Sequence, residues 1–275
     1  MTNLVAVQMC STPDVDVNFA MLNEELKKLP ESRPTLVVLP ECFACFGAGD
    51  KALLAIAETP GSGPIQQKLR ELAIKYSLWL VAGSIPLKTD NPDKFTASCL
   101  LIDDKGEIKH EYQKIHMFDV QVADNTGSYV ESRSTQAGKQ IVVADTPFGK
   151  LGLAVCYDLR FPGLFAQMGE LNHLDVIALP AAFTYATGEA HWQSLLAARA
   201  IENQCYVIAA NQSGTHANKR HTFGHSCIIS PWGETLVQIT HQPGIVQSQL
   251  DNTLLADIRR KMPVNQHNKF RSRLV

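Results

Sequence analysis

The run GLAVCYDLRFP, residues 152–162, decides how this 275-residue chain is read. Its first residues are small or apolar, as at the end of a buried strand, and a thiol, a phenol, a carboxylate and a guanidinium then follow in quick succession. The next segment, PGLFAQMGEL, has helical spacing, so the run marks the place where a strand turns into a helix. Downstream the order continues: LDVIALP as a strand, HWQSLLAARAIEN as a helix, CYVIAANQ as a strand, then a hairpin around PWG.

The upstream half follows the same order. LVAVQM (4–9) is a strand, NFAMLNEELKKL (18–29) an amphipathic helix that Asn18 can cap, and TLVVLP (35–40) a second strand. PIQQKLRELAIKY opens a helix on Pro64, where the missing N–H costs nothing, and LWLVAGSIP (78–86) returns as a strand. FTASCLLID and EIKHEYQK flank the turn DKG as a hairpin. FTASCLLIDDKGE echoes FGHSCIISPWGE, and LVVLPECF echoes VIALPAAF. A β-α-β-α run into hairpins, made twice, predicts one α/β domain over 1–275. Two mixed sheets are expected face to face with helices outside, an α-β-β-α four-layer sandwich. The basic stretch 262–275 lacks an apolar period and is expected to be a surface tail at a subunit interface of a homodimer or higher homo-oligomer.

Composition narrows the partners. The formal charge of −2, from 25 basic and 27 acidic residues, gives no footprint for nucleic acid or a membrane surface, so a small molecule is the expected partner. No run reaches the roughly 18 apolar residues of a membrane helix, and the N-terminus lacks the basic and apolar regions of a signal peptide. Seven cysteines scattered through apolar runs suit a reducing, cytoplasmic setting rather than a disulfide framework. CFAC (42–45) has no second half of a zinc site, and His221 and His225 are separated by a glycine that disfavours a helical two-histidine site. No metal or cofactor is expected.

Strand ends carry functional groups in α/β folds because the sheet fixes a side chain where the chain leaves the core. Three such ends stand out: Glu41 after VVLP, Lys114 after EYQ, and Cys156 after GLAV. A buried cysteine is ordinarily a small hydrophobe, but one lifted out at a strand-to-helix elbow can be a nucleophile. Such a thiol needs a base, for which Glu41, His116, His191 and His225 are the candidates, and groups to hold an oxyanion. Arg160 can pair with a substrate carboxylate or with Asp158. The segment 211–226, with His216, Lys219, Arg220 and His221, is either a solvated basic loop or an anion-binding rim.

LPE (39–41), YQKIHMFD (112–119) and GLAVCYDLRFP together resemble, in order, the three catalytic blocks of the nitrilase superfamily of carbon-nitrogen hydrolases. The resemblance spans essentially the whole chain. It implies an amidase in which Glu41 is the general base, Lys114 the cationic stabiliser, Cys156 the nucleophile and Glu131 a second active-site glutamate. Lys114 and the Tyr157 N–H would then hold the oxyanion. Two positions depart from the family pattern: Ala137 replaces a proline and Gly163 a glutamate. The segment 190–233 resembles the branch that hydrolyses deaminated glutathione to 2-oxoglutarate and cysteinylglycine, rather than the omega-amidases that act on 2-oxoglutaramate. On that reading Arg160, His191, Lys219, Arg220 and His221 are substrate-binding candidates, and Glu189, where relatives carry proline, is an extra acid that alters selectivity.

Overall fold

Strand β1 (Asn3–Gln8) shows how the layers are assembled. Side chains alternate along a strand, and here Leu4 and Ala6 enter one apolar cluster while Val5 and Val7 enter another. The second cluster packs against two helices, α1 (Val15–Leu26) through Phe19, Leu22 and Leu26, and a later helix through Ile65, Leu69 and Leu72. The first cluster fills the space between two sheets and continues over the far face of one of them, under two further helices. The computed structural model describes residues 2–31, 33–122, 127–171 and 173–274.

After α1 come β2 (Thr35–Val38), α2 (Asp50–Ala55), α3 (Pro64–Tyr76), β3 (Trp79–Val81), β4 (Ile85–Lys88), β5 (Phe95–Ile102) and β6 (Ile108–Gln113). A small hairpin, β7 (Asp119–Gln121) with β8 (Ser128–Val130), leads to β9 (Val143–Thr146) and β10 (Gly149–Leu153). The chain continues through α4 (Pro162–Leu171), β11 (Val176–Ala181), α5 (Tyr185–Asn203) and β12 (Tyr206–Asn211). It ends with β13 (Ser213–Thr215), β14 (His221–Phe223), β15 (Cys227–Ile229), β16 (Thr235–Gln238), β17 (Gly244–Gln249), α6 (Asn252–Lys261) and α7 (Val264–His267).

One sheet has the order β17-β1-β2-β3-β5-β4, with β6 also paired to β5; the other runs β16-β15-β12-β11-β10-β9. β1, β2 and β3 are mutually parallel in the first sheet, as are β10, β11 and β12 in the second. β1 and β2 face β11, β12 and β15 across the interface. Helices α4 and α5 cover the second sheet with Phe165, Met168, Trp192 and Leu196. The α-β-β-α sandwich expected from the sequence is the observed architecture, and no helix among the described residues is long and apolar enough to cross a membrane.

Local chemistry corrects several boundaries. The first helix begins at Val15, because Asp14 Oδ1 accepts from the N–H groups of Asp16 (2.8 Å) and Val17 (3.1 Å). Asn18 is instead buried, accepting from Thr12 N and donating to Ala44 O, both at 2.8 Å. Helix α5 starts at Tyr185, before the HWQ segment, capped by Thr184, and its first turn contains Gly188, where a Cβ would come within 2.3 Å of Phe223. In the tail beyond residue 262, Ser272 N donates to Glu170 Oε1 of α4 at 3.1 Å, and Phe270 is 86% exposed.

The expected strand 78–86 is broken into β3 and β4, which pair with successive halves of β5. Gly83 makes the break, with φ +54° and a Cβ direction that points at Pro40 O, 2.1 Å away. Because Pro40 precedes Glu41, this close approach also fixes where the Glu41 backbone runs. A side chain at position 83 has to push that backbone aside and adopt a left-handed conformation. Gly83→Ala is expected to lower stability by about 1 to 3 kcal/mol, measured as a fall in the chemical denaturation midpoint.

Candidate active site

Glu41, Lys114 and Cys156 leave three different strands and meet. Glu41 follows β2, and its N–H donates to Ala181 O (3.3 Å) at the end of β11 in the opposite sheet. Its carbonyl accepts from Gln212 Nε2 (3.0 Å), which also donates to Ser11 Oγ at 2.8 Å. Lys114 follows β6 and is held by backbone bonds from its N–H to Ala97 O and to its carbonyl from Gly138 N, at 3.0 and 2.8 Å. Its ammonium donates to Glu41 Oε1 at 2.8 Å and to both Glu131 oxygens at 2.9 Å. Glu131 is fixed in turn by the Phe118 N–H, 2.7 Å from Oε2. The Cys156 thiol is hydrogen-bonded to the Glu41 carboxylate and approached by the Ala182 N–H.

Burial sets the charge states. Glu41, Lys114 and Cys156 are 6%, 2% and 7% exposed. Burial alone would raise the Glu41 carboxyl, but the bonded Lys114 ammonium outweighs it and holds Glu41 below the usual carboxylate range. Burial disfavours the Lys114 ammonium too, yet Glu131 and Glu41 together raise it well above an ordinary lysine. Glu131 is pushed up, chiefly by burial against the pull of Lys114 and with the repulsion of Glu41 added. Burial, and then the Glu41 charge, drive the Cys156 thiol well above its ordinary range. The resting site is therefore a thiol beside a carboxylate, next to an ammonium.

Cys156 opens a 3-10 turn, Cys156–Arg160, and takes φ +50°, a left-handed backbone that a non-glycine residue holds only when its surroundings impose it. Asp158 imposes it. This fully buried carboxylate accepts from Val155 N (2.8 Å), Tyr112 Oη (2.7 Å) and His116 N (3.1 Å), and pairs with His116 Nδ1 at 2.7 Å. Tyr112 and His116 flank Lys114, so one carboxylate ties the elbow that carries the thiol to the segment that carries the ammonium. His116 also stacks on Phe161 at 3.7 Å, which makes it a support of the elbow and not the base beside the thiol. Sequence reasoning missed this hub and offered Asp158 as a partner for Arg160. Its signal was an acid two residues past a candidate nucleophile, too common to interpret without coordinates.

A cavity of ≈ 320 Å³ has Glu41, Lys114, Glu131 and Cys156 among its lining residues. Tyr157, Arg160 and Arg220 also line it. Arg160 lies over the rings of Tyr157 (6.0 Å) and Phe183 (5.4 Å), and its Nη1 contacts His191 Nδ1 at 3.2 Å. Arg220 lies over Phe46 (5.1 Å) and Tyr129 (5.0 Å), with Nη2 donating to Ala182 O at 2.7 Å; its buried Nε has no hydrogen-bond partner among the described residues. These aromatic faces hold the guanidinium planes without neutralising them.

Other candidates lie elsewhere. His191 is exposed on α5 and reaches the site only through Arg160. Lys219 is exposed at a turn outside the cavity lining, and His221 is exposed and stacked on Tyr185 at 4.7 Å. Glu189 is exposed on α5 and does not line the cavity, and Gly163 faces the tail near Ser272. Trp192 is core, donating from Nε1 to His225 O at 2.9 Å. Cys42 and Cys45 do line the cavity, but burial, then the charge of Glu41, pushes the Cys42 thiol up to about 12. His216, which sequence composition grouped with the basic loop, is buried between Ser11 O (3.0 Å) and Thr222 Oγ1 (2.8 Å). It anchors the loop that carries Arg220.

The carbon-nitrogen hydrolase family model matches residues 4–260. Over 274 residues the chain is 44% identical to the deaminated glutathione amidase of Yersinia enterocolitica, covering 99% of this chain and 95% of that one. It is 38% identical over 269 residues to the deaminated glutathione amidase of Dictyostelium discoideum, covering 96% and 92%. The crystal structure of the Caenorhabditis elegans NitFhit protein matches with a TM-score of 0.86 at 33% identity, over 97% of this chain and 65% of that one. The chain belongs to the carbon-nitrogen hydrolase family. Its fold is nitrilase-like, and it is an enzyme of the hydrolase class that acts on carbon-nitrogen bonds in amides.

Burial, opposed by the hydrogen bond to Ser11 O and reinforced by the Arg220 and His221 charges, lowers His216 from 6.5 to about 4. Between those values the unfolded chain binds a proton that the folded one refuses, so stability falls as pH drops. The loss sets in below about pH 6.5 and amounts to about 3 kcal/mol by pH 4. Urea denaturation across this window is expected to show a shallower pH slope for His216→Asn than for the wild type.

Proposed function

We propose that this hydrolase cleaves deaminated glutathione, an amide with a carboxylate at each end, through a thioester on Cys156. The observation that carries the chemistry is the convergence of the Glu41 carboxylate, the Lys114 ammonium and the Cys156 thiol at one cavity wall. Because the thiol is held protonated and Glu41 is ionised, Glu41 takes the proton as sulfur attacks the amide carbonyl. The carbonyl π electrons move to oxygen, and the oxyanion is held by the Lys114 ammonium and the Tyr157 N–H at the start of the 3-10 turn. Collapse breaks the C–N bond while Glu41 returns its proton to the departing amine. Water, deprotonated by Glu41, then attacks the thioester and releases the acid with the thiol restored. Glu131 keeps Lys114 charged and in place.

The substrate assignment draws on the relatives' activity and on the two cations of the wall. Arg160 and Arg220 flank the reactive groups, each stacked on aromatic rings and neither in an ion pair with an acid among the described residues. They suit the short 2-oxo acid end of the substrate, whose carboxylate needs a planar donor fork. All seven cysteines are free thiols, which supports a reducing, cytoplasmic location.

Cys156→Ala is expected to abolish turnover and Glu41→Gln to reduce it by at least about 10³-fold, in line with loss of a proton-transfer group. Intact mass spectrometry of the wild type with deaminated glutathione is expected to capture a 2-oxoglutaryl adduct on Cys156; an adduct on Cys42 or Cys45 overturns the assignment of the nucleophile. In competition at equal concentration, deaminated glutathione is expected to be consumed before 2-oxoglutaramate. The opposite preference moves the chain to the omega-amidase activity.

A further inference from the structure

The cavity lining holds four cations, Lys114, Arg133, Arg160 and Arg220, against three carboxylates, Glu41, Asp50 and Glu131. Lys114 is committed to Glu41 and Glu131, and the two wall arginines are stacked on rings. Arg133 differs from all of these. It is exposed, it lines the same cavity, and among the described residues it enters no ion pair. Exposure gives the depth: the reactive groups are under a tenth exposed, Arg160 and Arg220 half-buried, and Arg133 at the rim.

Its base is firmly placed. Arg133 ends the 3-10 turn Glu131–Arg133, whose first residue holds Lys114. The turn is pinned by Lys94 Nζ to Ser132 O (2.8 Å), by Ser132 N to Asp119 Oδ1 (3.0 Å) and by Thr135 N to Glu131 O (3.0 Å). Of the neighbouring rim residues, Asp50 repels a carboxylate, and Asn218, whose Oδ1 accepts from Arg220 N at 3.1 Å, offers an uncharged amide and no full positive charge.

Building on the substrate reading above, we propose that Arg133 recognises the terminal carboxylate of the leaving dipeptide and so selects peptide-like amides over short ones. The two arms of the substrate differ in reach. With the scissile carbonyl at the floor, the acyl arm is short and its carboxylate stays among the half-buried arginines. The leaving arm is a dipeptide, which spans at most about 7 Å when extended and so carries its carboxylate outward toward the rim. An exposed guanidinium there adds modest affinity, and salt screens it.

The test compares three amides with one acyl half: deaminated glutathione, its C-terminal carboxamide and 2-oxoglutaramate. For Arg133→Ala the expected result is a rise of about three- to tenfold in KM for deaminated glutathione with kcat within about twofold. The carboxamide and 2-oxoglutaramate are expected to change less than about twofold. Arg133→Lys should retain part of the preference and Arg133→Glu should lose more than Arg133→Ala. In the wild type, added sodium chloride should shrink the advantage of the carboxylate over the carboxamide. An equal loss on all three amides marks a structural role and overturns the proposal, as does an unchanged KM for deaminated glutathione. A wild-type enzyme that does not hydrolyse deaminated glutathione removes the substrate reading and this inference together. Turnover with an indifferent Arg133 removes only the inference.

Discussion

An ammonium group shut away from water is costly unless its charge is met, and the structure around the cavity is arranged to meet it. Lys114 is 2% exposed and held by both Glu41 and Glu131. Two carboxylates around one cation leave a surplus negative charge in the cluster. That surplus explains the state of the neighbouring thiol, which stays protonated because an extra anion beside Glu41 is unfavourable until a carbonyl is present to take the electrons. Removing one member would change the ionisation of the others, so the cluster titrates as a unit.

Such a cluster demands that separate pieces of chain arrive together, and a second layer of buried bonds makes them do so. Gln212 binds the Glu41 carbonyl and Ser11, joining the end of β2 to the end of β12. Asp158 binds Tyr112 and His116 from the segment around Lys114, and Val155 from the approach to Cys156. These are low-dielectric hydrogen bonds to buried acceptors, whose loss would leave unpaired donors in the core. The left-handed backbone at Cys156 persists because this network over-determines it.

The sequence made the layers legible through period-2 apolar runs and strand-end punctuation, and the candidate chemistry was legible as Glu41, Lys114 and Cys156 at strand ends. What it hid was set by contacts distant along the chain. Gly83 lies inside an apolar run that alone suggests one strand, and only the approach of Pro40 O explains the break. His216 has the composition of a basic loop, yet its ring is dehydrated by burial, with a partner 205 residues away at Ser11. His191 and His221 were plausible anion ligands by residue type, but one braces Arg160 and the other stacks on Tyr185. Arg133 raised no signal, because an exposed arginine is ordinary until a cavity is seen beneath it.

The resemblance between LVVLPECF and VIALPAAF has a spatial counterpart: the strands they form, β2 and β11, face each other, and the Glu41 N–H bonds to Ala181 O where both end. The two halves of the polypeptide have divided the labour. The amino half supplies the proton acceptor and the fixed positive charge; the carboxy half supplies the sulfur and both wall guanidiniums. A scission in the link ahead of β9 would thus sort proton handling from bond making, leaving two complementary fragments that are each chemically mute and that regain turnover only by reassociating across the seam.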